Sequence, residues 1–141
     1  MEADLPIAVN LSAAPFGDGV LEAWLNESQN LLPHLTLEVT ESTWMNDSPV
    51  TQRWLQRVCA GGARIALDDF GTGYSSLAYR LRAPVDELKI DKSFTDHLGS
   101  GGPSERIVAA VLDVAQALQA GVVVEGVESR RQLDFLGAQG P

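Results

Sequence analysis

Arg64-Ile65-Ala66-Leu67-Asp68-Asp69 (residues 64–69) is an apolar run that stops abruptly on two adjacent acids. The same design recurs on both sides of it. Ile7-Ala8-Val9 runs into Asn10, Leu35-Thr36-Leu37 into Glu38, Leu88-Lys89-Ile90 into Asp91, and Val122-Val123-Val124 into Glu125. Short runs of this kind, separated by helix-like stretches, predict parallel strands joined by crossover helices. In such sheets ligands bind at the carboxyl ends of the strands. One rim therefore collects Asn10, Glu38, Asp68, Asp69, Lys89, Asp91 and Glu125. A set so rich in oxygen donors suits a divalent-metal site.

The stretches between the runs supply the helices. Residues 18–32 place Val20, Leu21, Trp24, Leu25 and Leu31 at helical spacing. Asp47-Ser48-Pro49 opens a helix that buries Trp54, Leu55 and Val58 and ends at Gly61-Gly62. The glycine-punctuated loop 69–74 leads to a short helix near 75–81. Pro103 starts the most regular helix, with Ile107, Val108, Val111, Leu112, Ala115 and Leu118 in one stripe. Ser129-Arg130-Arg131-Gln132 has the form of a capping box, opening a last helix that bears Leu133 and Leu136. Strands are expected at 6–11, 35–40, 64–68, 87–90 and 122–125. Five such units fall short of the roughly 250 residues of a closed eight-stranded barrel. Periodicity leaves two architectures open, a doubly wound open sheet and part of a barrel.

At 141 residues, 45% apolar and 21% charged, the chain has the composition of one globular domain with a real core. A formal net charge of −9 and the lack of a basic patch speak against a DNA- or RNA-binding surface. Seven of the 19 acids (Glu38, Glu41, Asp68, Asp69, Asp91, Glu125 and Glu128) lie at or just beyond strand ends, where together they would repel an anionic ligand until cations invert the local field. Cys59 is the only cysteine, which excludes an intrachain disulfide and a cysteine-based zinc site and makes a reducing cytoplasm the default setting. It is expected to be a buried structural thiol. The N-terminus carries no signal-peptide pattern. The longest apolar stretch, 107–124, is broken by Asp113, Gln116, Gln119 and Gly121, so no membrane segment is expected. His34 and His97 fall in loops and are expected to be solvated.

Asp68-Asp69-Phe70-Gly71-Thr72-Gly73-Tyr74-Ser75-Ser76-Leu77 is long and specific. It resembles the signature loop of bacterial EAL-domain cyclic-di-GMP phosphodiesterases. The resemblance continues in register through Val9-Asn10-Leu11-Ser12, Glu38-Val39-Thr40-Glu41-Ser42, the stretch from Pro84 to Phe94, Glu125-Gly126-Val127-Glu128-Ser129, and Gln132-Leu133-Asp134-Phe135-Leu136-Gly137. It implies an α/β fold, here a partial, open TIM-like βα barrel of about five parallel strands, with residues 1–141 as a single incomplete EAL-like domain. It also implies hydrolysis of one phosphodiester bond of cyclic di-GMP to linear pGpG. Two divalent cations, Mg²⁺ or Mn²⁺, would bind a water, lower its pKa and neutralise charge on the phosphate oxygens.

By the same resemblance Asn10, Glu38 and Asp68 would hold the first cation, and Asp68 with Asp69 the second. Lys89 would hold the attacking water and offset phosphate charge, and Asp91 would orient Lys89 or a water. Glu125 would serve as metal ligand or general base. Phe70, Gly71, Thr72 and Gly73 would form the substrate loop, anchored by Glu128. Plainer roles stand beside these. Asn10 could satisfy a turn, Glu41 support its loop or cap a helix, and Asp91 cap the segment from Ser93. Gly71 and Gly73 could serve only the backbone angles of their loop.

The chain departs from the family pattern at both ends. No Glu-Ala-Leu tripeptide occurs, and Leu21-Glu22-Ala23 has those letters in another order. The segment expected before Ile7 and the one after Gly137 have no counterpart here. The reading that follows is an opened barrel with two unpaired edges, impaired turnover, and a homo-oligomer in which open barrels cover each other. The alternative is a catalytically inactive module that binds cyclic di-GMP or a protein partner. A third is a folded remnant without activity.

Overall fold

A computed structural model describes residues 5–11, 16, 19–46, 48–71 and 84–140. Within them, five strands form one sheet: β1 (Ile7–Asn10), β2 (Leu35–Thr40), β3 (Arg64–Asp68), β4 (Glu87–Ile90) and β5 (Gly121–Val124). Every neighbouring pair is parallel and the order in space is the order in sequence. A doubly wound sheet reverses its strand order at a switch point. Here there is no reversal, and successive right-handed crossovers then place their helices on one side of the sheet. The open alternative left by periodicity is thus decided in favour of a TIM-like arrangement, unclosed among the described residues.

Burial divides the sheet into two unlike faces. Leu35, Leu37 and Val39 of β2, Ile65 and Leu67 of β3, and Leu88 and Ile90 of β4 are all buried in the core. The alternate positions are only partly covered on β2, as Thr36, Glu38 and Thr40 show. Helices α1 (Val20–Glu27), α3 (Pro49–Ala60) and α5 (Pro103–Leu118) join strands and add Leu25, Trp54, Leu55, Val58, Val108, Val111 and Ala115 to the core. Burying each large apolar side chain contributes about 1.5–3 kcal/mol. Trp54 is the largest of them. Its indole N–H donates to the Leu21 carbonyl at 3.2 Å, and Phe16 meets its ring edge-on.

The helix expected over 18–32 ends earlier, at Glu27, and a 3-10 turn (Leu32–His34) carries the chain into β2. Pro33 lacks the N–H that a continuing helix needs. The single-turn helices α2 (Glu41–Trp44) and α4 (Lys92–Thr95) were not expected. Each starts on a cap at a strand end, with Thr43 N donating to Thr40 Oγ1 and Ser93 N to Asp91 Oδ1. The helix α6 (Arg130–Ala138) opens on the Ser129/Gln132 capping box. The last strand lies one residue earlier than expected, which leaves Glu125 just beyond its end. The helix expected near 75–81 lies outside the described residues.

His34 and His97 are exposed, in line with the sequence reading. Cys59 is half-buried against the core, and burial first, then the charge of Asp86, pushes its thiol up to about 11.

Candidate functional site

In a parallel sheet, Cα partners in register point to the same face, and parity therefore sorts the rim. Asn10 pairs with Glu38, Glu38 with Ala66, Thr40 with Asp68, Ala66 with Glu87, and Lys89 with Val123. Counting by twos from these pairs puts Asn10, Glu38, Asp68 and Lys89 on one face, opposite the helix-covered core. Glu125 follows Val123 in the same alternation. Four separate strands and a strand extension thus deliver these groups to one side and one end of the sheet.

Lys89 stands at the centre. Its Nζ lies 2.9 Å from Glu125 Oε1, 3.1 Å from Glu38 Oε1 and 3.9 Å from Asp68 Oδ1. Burial alone lowers an ammonium pKa. Here hydrogen bonds from Lys89 to Glu125 and Glu38 and the charge of Asp68 outweigh that, raising it above its ordinary 10.5. Lys89 is therefore firmly charged.

Asp69 is exposed and follows Asp68 in a left-handed conformation, φ 55°. Its N–H donates to Asp68 Oδ1 at 3.0 Å. Its carboxyl is held above the usual value, by burial first and then by Asp68, Asp91 and Glu125, against the opposing pull of Lys89. Mutual repulsion of this kind is relieved by a cation.

The loop beyond begins on firm ground. Phe70 is buried in the core, and its N–H donates to the Lys89 carbonyl at 3.3 Å. Gly71 has φ +92°, and a Cβ there would lie 3.5 Å from Val111 of α5. Thr72 and Gly73 lie outside the described residues.

Asp91 has a backbone partner of its own. It caps α4, and hydrogen bonds from Ser93, side chain and backbone, hold its carboxyl below the usual range. That is the plainer of the two roles the sequence allowed it. Glu128 pairs with Lys92, Oε1 to Nζ at 3.1 Å, both exposed. The loop residues from Thr72 onward that it was expected to anchor are not among those described. Glu41 is buried in the first turn of α2.

Ala66 escaped the sequence reading. It sits in register with Glu38 on β3, between the strands that carry Glu38 and Lys89, and is fully buried. A small side chain here lets Lys89 reach over β3. The signal was present in the apolar run, as the one residue in it too small to fill a core by itself.

No three His, Cys, Asp or Glu side chains among the described residues are by themselves arranged to hold a metal ion. The carboxylates of Glu38, Asp68 and Glu125 are instead gathered about a positive charge, Lys89 Nζ. In donor chemistry they fit a hard divalent cation, as carboxylate oxygens converging within 4 Å of a common cationic point.

Among known proteins, the chain matches the EAL domain over residues 1–140. It is 46% identical over 140 residues to a Pseudomonas aeruginosa protein named bifunctional diguanylate cyclase/cyclic di-GMP phosphodiesterase MucR, covering 95% of this chain and 20% of that one. The solved structure of PaMucR phosphodiesterase in complex with c-di-GMP superposes with a TM-score of 0.84 at 42% identity, over 98% of this chain and 63% of that one. Klebsiella pneumoniae BlrP1, in a manganese/cy-diGMP complex, superposes with a TM-score of 0.79 at 28% identity, over 98% of this chain and 36% of that one. The chain thus spans about a fifth of the curated relative and under two thirds of the first solved chain.

Proposed function

The chain belongs to the EAL domain family, and from that premise we propose that it is a metal-dependent phosphodiesterase unit that hydrolyses cyclic di-GMP to linear pGpG. The observation that carries this reading is the gathering of Glu38, Asp68 and Glu125 about Lys89 on the one sheet face that the helices leave uncovered. Relatives named as cyclic di-GMP phosphodiesterases support it.

Asn10, Glu38, Asp68 and Asp69 would hold two divalent cations, magnesium or manganese. Such ions, when bound, stabilise charge on phosphate oxygens and activate a water for attack. Glu125 stands ready to accept the proton of the attacking water, directly beside Lys89. The water oxygen forms its bond to phosphorus as the bond from phosphorus to the ribose 3′ oxygen breaks. That departing oxygen takes a proton from solvent, and the new terminus keeps the phosphate on its 5′ side. Lys89 carries a fixed positive charge through this sequence and offsets the negative charge that grows on the phosphate. Asp91, by capping α4, fixes the backbone two residues beyond Lys89. Phe70, Gly71, Thr72 and Gly73 would contact the substrate in this proposal, and Glu128 pairs with Lys92.

The electrostatics set an order of events. A chain of net charge −9 with a carboxylate-lined rim repels a cyclic dinucleotide bearing two phosphates. Cation binding precedes productive substrate binding. The whole chain acts as one EAL unit in this proposal, placed in the cytoplasm on the strength of its single cysteine. No helix among the described residues is long and apolar enough to cross a membrane. A homo-oligomer is part of the same proposal. Among the described residues β1 and β5 pair on one side only, and Leu5, Ile7 and Val123 near them are exposed. A monodisperse monomer in sedimentation velocity removes that element.

The deciding experiment is turnover of cyclic di-GMP with saturating Mn²⁺, beside Asp68→Ala. Linear pGpG that vanishes in the variant is the expected result. Binding without product would make the chain a receptor and overturn the reading, and the absence of both binding and product would overturn it as well.

A further inference from the structure

Two loops bring charged groups to the candidate site from separate strands. One follows β4 and contains Asp91 and Lys92; the other follows β5 and contains Glu125 and Glu128. Gln132, buried in the first turn of α6, touches both. Its Oε1 accepts hydrogen bonds from the Glu128 and Ser129 N–H groups, each at 2.8 Å. Its Nε2 donates to the Thr95 carbonyl of α4 at 3.1 Å. One side chain therefore uses its acceptor on the β5 loop and its donor on the β4 loop. Such a bridge, buried away from water, is stronger and more directional than an exposed ion pair.

The surroundings show that the two loops are fitted to each other along the same seam. Glu125 N donates to the Ile90 carbonyl at 3.0 Å. Gly126 has φ +72°, and a Cβ there would stand 2.7 Å from Lys92 Cγ, so the loop lies hard against that side chain. The Lys92–Glu128 pair closes the outer side but is fully exposed to solvent screening. Gln132 is the buried member of this seam.

We propose that Gln132 is a positioning residue for the phosphodiesterase reaction, tying the Glu125–Glu128 loop to α4 so that Glu125 stays in register with Lys89. It touches neither substrate nor cation and acts through the backbone of Glu128 and Ser129 on one side and of Thr95 on the other. For its kinetics the inference rests on the phosphodiesterase reading; for its geometry it does not.

The variant that isolates the bridge is Gln132→Glu. A glutamate keeps the acceptor and completes the capping box with Ser129 as well as glutamine does. It loses the donor and sets an oxygen against the Thr95 carbonyl. Where Gln132 serves only the fold, Gln132→Glu leaves kcat at the wild-type value. Where it positions the loops, Gln132→Glu lowers kcat about 10- to 100-fold, the range for partners that orient a reacting group. KM stays within about threefold; the unfolding midpoint falls, because a buried carboxylate then faces the Thr95 carbonyl, so kcat is read well below that midpoint. Wild-type kcat in Gln132→Glu overturns the proposal.

A second readout needs no turnover. The ¹⁵Nζ resonance of Lys89, identified by its loss in Lys89→Met, is expected to shift in Gln132→Glu as the contact with Glu125 loosens. An unchanged resonance overturns the proposal. Should Gln132→Glu fail to fold, hydrogen exchange in the wild-type chain decides: protected Glu128 and Ser129 amides sustain the bridge, and rapidly exchanging ones refute it. A wild-type chain without turnover would fail the phosphodiesterase reading alone, leaving the resonance and exchange data to judge Gln132.

Discussion

Lys89 Nζ meets Glu38 Oε1 at 3.1 Å from a strand two places away, across β3, where the register sets Ala66 level with Glu38. The contact joins β2 to β4 without either strand touching the other through its backbone. It also fixes the sign of the site. With Glu125 and Asp68 turned to the same ammonium, the groups that would receive divalent cations are already organised by a monovalent one.

Lys89→Met removes that organiser and leaves three carboxylates facing each other. Without added metal the variant should lose about 1–3 kcal/mol, the cost of stranding charged partners. Added Mn²⁺ should raise its unfolding midpoint by more than it raises that of the wild type. Calorimetry with and without the ion measures both. Equal shifts in the two proteins would mean that Lys89 and the cation do not share the same carboxylates.

Ala66→Leu fills the gap over which Lys89 reaches. Overpacking at a fully buried position costs about 1–3 kcal/mol. Loss of the Lys89–Glu38 contact should also lower turnover. Urea unfolding and the pGpG assay check the two effects separately. A variant as stable as the wild type would show that the face over Ala66 is open.

Cys59 supplies the pH test. Its thiol is pushed up to about 11 from an ordinary 9.0, by burial and then by Asp86. The folded chain holds the proton more tightly than the unfolded one, so stability falls as pH rises between those values and is unaffected below 9.0. Iodoacetamide should label the native thiol slowly at pH 8 and faster towards about 11. Cys59→Ala should flatten the alkaline loss of stability seen in urea titrations.

Gly126→Ala should destabilise the fold by about 1–2 kcal/mol, because φ +72° is costly for a residue with a Cβ. The new methyl also displaces Lys92 and with it the pair to Glu128. Thermal unfolding measures the loss. A neutral substitution would show that the loop after β5 can relax without cost.

Much of this was legible in the chain. The bounds of β2, β3 and β4 follow from runs that alternate or stop at Gly, Pro and acidic residues, and the capping box at Ser129 announces α6. The rim residues were readable because each closes a strand, and strand ends in a parallel sheet share a side. What periodicity could not supply was the order of the strands, since both a doubly wound sheet and a barrel repeat the same βα unit. One-turn helices such as α2 and α4 are too short to show a period, and only the caps at Thr40 and Asp91 hint at them. The ion pairs of Lys89 were hidden for a different reason. They depend on register between strands far apart in the chain, and on the small size of Ala66 between them. The link from Gln132 to Thr95 was hidden in the same way, behind a capping role that was already sufficient to account for the residue.

The sequential strand order has a consequence for how the protein is made. Among the described residues, each strand from β2 to β5 pairs with the one synthesised just before it, so each emerges from the ribosome with a sheet partner already made. Among these five strands none has to wait for a distant one to be translated, and none of their pairings has to open to admit a later one. The sheet can lengthen at one edge at the pace of translation. Glu38, Asp68, Lys89 and Glu125 are then added to the rim in turn; Lys89 arrives after two of its three carboxylates, and Glu125 closes the cluster last.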